Sequence, residues 1–186
     1  MKKMTNFTYL NGSFILFDTS VLIDGIKYQD EYQSFFDFIK EQDCTGLLDA
    51  TVRCEFLAGA RNDSEMLLLS DFLQSLFGSS DPGLRISTET FETARKLMNC
   101  VYRAENKHLK IPDALIGSQI VQYSSVVGNL LLATQNHHDF PPVIFERKYT
   151  QNINLPDGKI KTVGIYDVRT DYKALLSKSP QSSAKK

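Results

Sequence analysis

An apolar run that stops at an acidic residue opens the regular part of the chain, Phe14-Ile15-Leu16-Phe17-Asp18-Thr19-Ser20. The four apolar residues predict a short buried strand, and the hydroxyl of Thr19 or Ser20 offers a cap for a helix that begins at Val21. Asp18 is therefore predicted at a strand-to-helix junction. In an open parallel sheet such junctions gather at one edge, so residues distant in sequence meet there.

Two further acidic residues occupy comparable positions. Asp113 follows Ile111-Pro112 at the start of a predicted helix, where proline is well tolerated. Asp139 closes the segment after Leu130-Leu131-Leu132-Ala133-Thr134, an aliphatic run typical of a strand covered on both faces. Taken singly, each acid is explained by helix capping or by a loop. Taken together, they predict an acidic edge of the sheet.

Glu55 is the fourth acidic residue of this set. A helix beginning near Thr51 places it on the stripe of Val52 and Phe56, and charged groups are seldom buried unless they are paired or bound to metal. A salt bridge is the alternative explanation. Gathered carboxylates repel one another without a cation, and their hard oxygen atoms suit Mg²⁺ or Mn²⁺.

Polar neighbours of these acids are candidate supporting residues. The hydroxyls of Thr19 and Ser20 are suited to orienting a ligand water, and Asn136 is placed to reach the same edge as Asp139. His137 and His138 suggest zinc, but no Cys or His cluster accompanies them, so they are interpreted as loop residues that at most touch substrate.

Strand and helix signals alternate up to residue 140, which predicts an α/β fold with a mostly parallel sheet. Beyond it, residues 143–151 and 160–168 flank Leu155-Pro156-Asp157-Gly158, whose Pro-Asp-Gly sequence is typical of a tight turn. These residues predict a β-hairpin extension whose second arm can join the main sheet.

Length and composition are those of an ordinary globular domain. The chain has 186 residues, of which 42% are hydrophobic and 23% charged, so one domain with a real core is expected. The early apolar run is too short for a signal peptide or a membrane span, which predicts a cytoplasmic protein with no membrane partner. Three cysteines without a C-x-x-C pair predict buried free thiols.

Charge is unevenly distributed along the chain. Residues 1–140 hold 12 Lys+Arg against 18 Asp+Glu, and residues 141–186 hold 9 against 4. The basic part is suited to holding a phosphate backbone. The candidate RNA-binding residues are Arg147, Lys148, Lys159 and Lys161. Residues 173–186 are interpreted as a basic, polar, solvated tail.

Four segments in this order resemble PIN-domain proteins, and most closely the VapC-type ribonuclease toxins of toxin-antitoxin pairs. The segments are Phe17-Asp18-Thr19-Ser20-Val21-Leu22-Ile23, Val52-Arg53-Cys54-Glu55-Phe56-Leu57-Ala58-Gly59, Asp113-Ala114-Leu115-Ile116-Gly117 and Leu132-Ala133-Thr134-Gln135-Asn136-His137-His138-Asp139-Phe140. The resemblance implies a three-layer α/β/α fold. It also implies that the four acids form a metal centre, namely Asp18, Glu55, Asp113 and Asp139.

The matched core covers residues 14–140 of a single PIN-like domain at 1–172, in which 141–172 form the basic hairpin extension. The resemblance implies a metal-dependent endoribonuclease using one or two Mg²⁺ or Mn²⁺ ions, with an RNA substrate, a protein antitoxin and a possible homodimer. The alternative is a non-catalytic PIN-like module that binds RNA or protein. A haloacid-dehalogenase-type phosphatase is disfavoured, because its second aspartate would stand where Ser20 stands. A phospho-receiver domain is disfavoured because its acidic pair and its lysine cannot be placed.

Overall fold

In the residues that the structure describes, two helices separate the first strand from the second and four helices separate the second from the third, so the strict alternation expected up to residue 140 is wrong. The computed structural model describes residues 9–78, 83–124, 126 and 128–172, so the predicted tail at 173–186 lies outside the described residues. The strands are β1 (Phe14–Phe17), β2 (Thr45–Leu47), β3 (Leu130–Thr134), β4 (Phe145–Asn154) and β5 (Ile160–Val168). The helices are α1 (Thr19–Lys27), α2 (Gln29–Glu41), α3 (Ala50–Ala58), α4 (Asp63–Phe77), α5 (Thr88–Glu105) and α6 (Ile111–Tyr123).

The strands form one mixed sheet in the order β2-β1-β3-β5-β4. β1 pairs parallel with β2 and with β3, whereas β5 pairs antiparallel with β3 and with β4. The expectation of a mostly parallel sheet is therefore wrong. No helix lies between β3 and β4 or between β4 and β5, and strands joined by short connections pair antiparallel because a parallel pair needs a long crossover.

The last two strands are part of the central sheet, because β5 lies directly beside β3. The turn between them closes with hydrogen bonds from the Gly158 N–H to the Leu155 carbonyl at 3.0 Å and from the Leu155 N–H to the Lys159 carbonyl at 2.8 Å. Gly158 has φ +79°, a backbone conformation that favours glycine. The predicted extension is thus the antiparallel half of the sheet.

The core lies between the sheet and its helices. Every residue of β3 is buried, as expected for a strand covered on both faces. α1 and α6 both pack on β3. At the end of β1, the Phe17 ring makes edge contacts with Phe35 of α2 and Phe77 of α4, at centroid distances of 6.4 and 5.6 Å. Parallel pairing of β1 with β3, in which Phe17 lies opposite Ala133, places the carboxyl ends of the two strands next to one another.

Candidate active site

Asp18 follows β1 and is 2% exposed. It holds the N-cap position of α1, which begins at Thr19, so the prediction that Thr19 or Ser20 caps a helix from Val21 is wrong. The Asp18 side chain makes no capping hydrogen bond. Instead its Oδ2 accepts hydrogen bonds from the Ser20 hydroxyl at 2.7 Å and the Thr134 hydroxyl at 2.5 Å. Both bonds engage Oδ2, which leaves Oδ1 for another ligand.

Thr134 and Gln135 complete this network, and the sequence patterns did not single them out. The Thr134 hydroxyl also accepts the Asn136 N–H at 2.9 Å. The Gln135 side-chain amide donates to the Ser20 carbonyl at 2.8 Å and to the Tyr32 hydroxyl at 2.9 Å. The signal that could identify them is a polar residue at the end of a buried strand and another directly after it, at the same edge as Asp18.

Glu55 lies on α3 and is exposed, so the expectation that it lies on the buried stripe is wrong. At 100° per residue, Glu55 stands about 60° from Val52 and about 100° from Phe56 around the helix, which places it beside the stripe. Its Oε2 accepts a hydrogen bond from the Thr19 hydroxyl at 2.7 Å. The Thr19 side chain thus joins Glu55 to the start of α1.

Asp113 lies in the first turn of α6 and is 8% exposed. Burial, followed by the negative charges of Asp139, Asp18 and Glu55, raises the pKa of this carboxyl to about 6, against an opposing effect of Lys110. The four predicted acids therefore act on one another electrostatically. A buried carboxyl surrounded by three others is difficult to ionise.

Asp139 lies in the loop after β3, where its N–H donates to the Asn136 carbonyl at 3.0 Å. The Lys107 ammonium stands 3.7 Å from Asp139 Oδ1 and also donates to the His138 carbonyl. Lys107 follows α5, and no local sequence pattern indicates its position beside Asp139. Its place beside the acidic edge depends on how α5 packs.

In the part of the chain that the structure describes, no group of three or more His, Cys, Asp or Glu side chains is arranged to hold a metal ion. The four acids and their hydroxyl neighbours nevertheless offer only hard oxygen donors, which fit Mg²⁺ or Mn²⁺. The cysteines are free, but only Cys100 is buried, while Cys44 is partly buried and Cys54 exposed. The expectation of three buried thiols is therefore wrong.

His137 anchors the loop that carries Asp139. Its Nδ1 lies 2.7 Å from the Tyr166 hydroxyl and its Nε2 lies 3.1 Å from the Thr162 carbonyl. A carbonyl only accepts, so Nε2 carries the proton and Nδ1 accepts from the tyrosine. Burial lowers the pKa of this imidazole, which favours the neutral form. Its role is to hold the loop against β5.

The four candidate RNA-binding residues are spread along the antiparallel half of the sheet. Lys148 pairs with Glu146 at 2.7 Å, Lys159 with Asp157 at 2.7 Å and Lys161 with Asp24 at 3.1 Å. Arg147 lies against the Tyr166 hydroxyl. Residues 141–172 hold five Lys+Arg against four Asp+Glu, so most of the positive excess falls in residues 173–186.

Comparison with known proteins gives limited matches. No protein-family model matches the chain, and no curated protein matches it. Among solved structures, it is similar to a chain in the crystal structure of VapBC2 from Rickettsia felis bound to a DNA fragment from their promoter. The TM-score is 0.48 at 14% sequence identity, over 64% of this chain and 96% of that chain. The function proposed below therefore rests on the site and on the sequence resemblance.

No helix within the described ranges is both long enough and apolar enough to cross a membrane.

Proposed function

We propose that the chain is a metal-dependent nuclease of the PIN type that hydrolyses phosphodiester bonds in RNA. The observation that carries this proposal is the pKa of Asp113, raised to about 6 by burial and by the charges of Asp139, Asp18 and Glu55. A buried carboxyl that faces three other acids is difficult to ionise, and a bound divalent cation would relieve that repulsion.

The ligands follow from the placement of the four acids. We expect Asp18, Asp113 and Asp139 to hold one or two Mg²⁺ or Mn²⁺ ions, directly or through water, and Glu55 to bind the metal or to orient the attacking water. Such an ion, when bound, lowers the pKa of coordinated water and offsets the negative charge that develops on the phosphate oxygens.

The other side chains of the site position these acids. Ser20 and Thr134 hold Asp18 through Oδ2, which leaves Oδ1 available to a ligand. Thr19 engages Glu55 through Oε2, so Oε1 is left to accept a proton from water. The chemistry needs no nucleophilic side chain, because water is the attacking group.

Partners and substrate follow from the resemblance to VapC-type toxins. We expect single-stranded RNA as the substrate, with Arg147, Lys148, Lys159 and Lys161 contacting its backbone and so adding affinity without base specificity. A protein antitoxin that covers the acidic edge is expected to present a cationic side chain such as arginine, which pairs strongly with carboxylates. A homodimer is also expected, in the cytoplasm.

RNA cleavage by matched variants tests the proposal. Wild type, Asp18→Asn and the control Asp30→Asn, which changes an exposed aspartate in the first turn of α2, are assayed with Mg²⁺, with Mn²⁺ and with EDTA. We expect cleavage by wild type and the control with either metal, none with EDTA, and almost none by Asp18→Asn.

Equal cleavage under all of these conditions would rule out metal-dependent chemistry at this edge. Absence of cleavage throughout, with RNA binding retained, would favour the non-catalytic module. Calorimetric titration with Mn²⁺ gives an independent readout, since Asp18→Asn is expected to weaken metal binding and Asp30→Asn is not.

A further inference from the structure

A cleft of about 340 Å³ opens beside the acidic edge, between α1, the loop after β3 and the start of β5. Its volume lies in the range of small-ligand sites. Its lining includes Ile23, Gln135, Asn136, Ile160, Lys161 and Thr162. None of the steps of the proposed cleavage requires this cleft.

The cleft is one hydrogen bond away from the Asp18 carboxylate. Ser20 lines the cleft and donates to Asp18 Oδ2 at 2.7 Å. On the same wall, the Asn136 N–H donates to the Thr134 hydroxyl, which also donates to Asp18 Oδ2. A group held in the cleft is therefore adjacent to a phosphodiester that lies against the acidic edge.

The walls of the cleft are held in place by hydrogen bonds from both sides. The Gln135 amide bridges the Ser20 carbonyl and the Tyr32 hydroxyl at 2.8 and 2.9 Å. His137 joins the loop to the Thr162 carbonyl of β5 at 3.1 Å. A site with fixed walls loses less conformational entropy when a ligand binds.

The chemistry of the lining fits a nucleobase better than a phosphate. Ile23 and Ile160 are 49% and 62% exposed, which gives the cleft apolar surface against which a base can lie. The exposed Asn136 side-chain amide makes no hydrogen bond to the residues that the structure describes, so its donor and acceptor are available for a base edge. The Lys161 charge is offset by Asp24 at 3.1 Å, which weakens its attraction for phosphate.

We propose that this cleft is a nucleobase subsite, which takes the base next to the scissile phosphate of single-stranded RNA. Ile23 and Ile160 contact the face of the base, and Asn136 hydrogen-bonds to its edge. This inference rests on the proposed function and deepens it, because it makes cleavage selective for the base beside the bond. The basic residues of β4 and β5 supply no such selectivity, since backbone contacts do not distinguish bases.

Binding of labelled RNA in EDTA tests the subsite without cleavage. Fluorescence anisotropy is measured with eight-nucleotide homopolymers of A, C, G and U. Wild type is expected to bind its preferred homopolymer about fivefold or more tightly than the weakest, because base contacts of this kind discriminate by a kcal/mol or more. Ile160→Trp fills the cleft and is expected to reduce that ratio to about twofold or less. Leu67→Trp, on α4 and 65% exposed, is the matched control and keeps the ratio.

A second variant addresses the hydrogen-bonding edge. Asn136→Ala removes the amide but leaves both isoleucines, so it is expected to change the order of preference among the four homopolymers. Equal affinity of wild type for all four, or an unchanged ratio in Ile160→Trp, would overturn the subsite.

The two proposals fail in different ways. Metal-dependent cleavage without base discrimination would retain the nuclease and remove the subsite. Base discrimination that Ile160→Trp abolishes, without any cleavage, would retain the subsite and remove the nuclease.

Discussion

The two halves of the central sheet arrange the charged side chains around them differently. In the half formed by β2, β1 and β3 the strands are parallel, so their carboxyl ends meet and bring Asp18 beside Thr134. In the half formed by β5 and β4 the pairing is antiparallel, and Arg147 lies opposite Tyr166 while Lys161 lies opposite Ile153. Six residues along β4 separate these positions by about 20 Å.

The acidic residues at the parallel half are gathered in one place, whereas the basic residues of the antiparallel half are spread over a surface. Burial and, after it, the charges of Asp139, Asp18 and Glu55 raise the pKa of Asp113, so several like charges act on this carboxyl at the acidic edge. The basic side chains of the antiparallel half each have an acidic neighbour or a tyrosine. Like charges gathered in one place favour a bound cation, whereas dispersed charges with partners contribute a weak, diffuse attraction.

The largest expected difference in cleavage rate is between two variants that each remove one acid, one from each half of the sheet. Asp139→Asn, at the acidic edge, is expected to lower RNA cleavage about 100-fold or more, because stabilising charge at phosphorus contributes several kcal/mol. Asp157→Asn, in the turn of the antiparallel half, retains an oxygen to accept the Lys159 N–H and is expected to stay within about twofold of wild type. Initial cleavage rates with Mg²⁺ measure both. Equal losses would mean that the acidic edge has no special role.

The junction between the two halves, where Gly164 of β5 lies opposite Thr134 of β3, is expected to be sensitive to side-chain volume. A Cβ at Gly164 would meet Tyr166 Cε2 at 2.6 Å and His137 Cε1 at 3.1 Å, so Gly164→Ala is expected to destabilise the chain by about 1–3 kcal/mol. Urea denaturation measures the loss. Adding Tyr166→Ala makes room for the methyl group, so the double variant should lose less than the sum of the two single variants. Strict additivity would show that the ring is not the obstacle.

Asp113 is expected to reduce stability at neutral pH. Its pKa rises from 3.8 to about 6 in the folded state, so the folded chain binds this proton more tightly than the unfolded chain does. Ionisation therefore costs stability progressively from pH 3.8 to about 6 and fully above that. Asp113→Asn is expected to be more stable than wild type by on the order of 1–3 kcal/mol at pH 7.5, with little gain near pH 4.

Urea denaturation in EDTA at several pH values checks this prediction. Asp30→Asn, which lies outside the acidic edge, serves as the control and should show no comparable gain. The same gain for Asp113→Asn at pH 4 and at pH 7.5 would contradict the assigned pKa.

Neutralising the basic residues is expected to have the smallest effect. Each phosphate contact that is lost should flatten the dependence of log K on log salt by roughly 0.7 for single-stranded RNA. Lys148→Gln, Lys159→Gln and Lys161→Gln are compared singly with Lys96→Gln, an exposed lysine on α5. Anisotropy titrations in EDTA at several salt concentrations measure the slope. A slope equal to that of Lys96→Gln would remove that residue from the RNA contact.

Local sequence patterns predicted several elements because their signals come from near neighbours. The run at 14–17 coincides with β1 (Phe14–Phe17), and the aliphatic run after Asn129 lies in β3 (Leu130–Thr134). The second arm of the hairpin coincides with β5 (Ile160–Val168). An unbroken apolar run bounded by turn residues needs no information from elsewhere in the chain.

Positions beside a helical stripe were harder to predict. Glu55 is three residues from Val52 and next to Phe56, and this spacing predicted that its side chain is buried. The Glu55 side chain is instead exposed and hydrogen-bonded to Thr19. Thr19 lies 36 residues from Glu55 in the sequence. Only the packing of α3 against α1 brings these two side chains together. Lys107 was missed for the same reason, since its contact with Asp139 crosses from the end of α5 to the loop after β3.

The sequence by itself determined where the apolar runs end and which polar residue follows each of them, because hydrophobic periodicity and turn chemistry act over a few residues. Only the tertiary structure decided that β5 pairs antiparallel beside β3, that Thr134 binds Asp18 across 116 residues, and that the lysines of the last two strands meet acidic partners. Such contacts depend on strand order and register. Short strands of similar composition are compatible with several orders and registers, and only the packing of the whole core selects one of them.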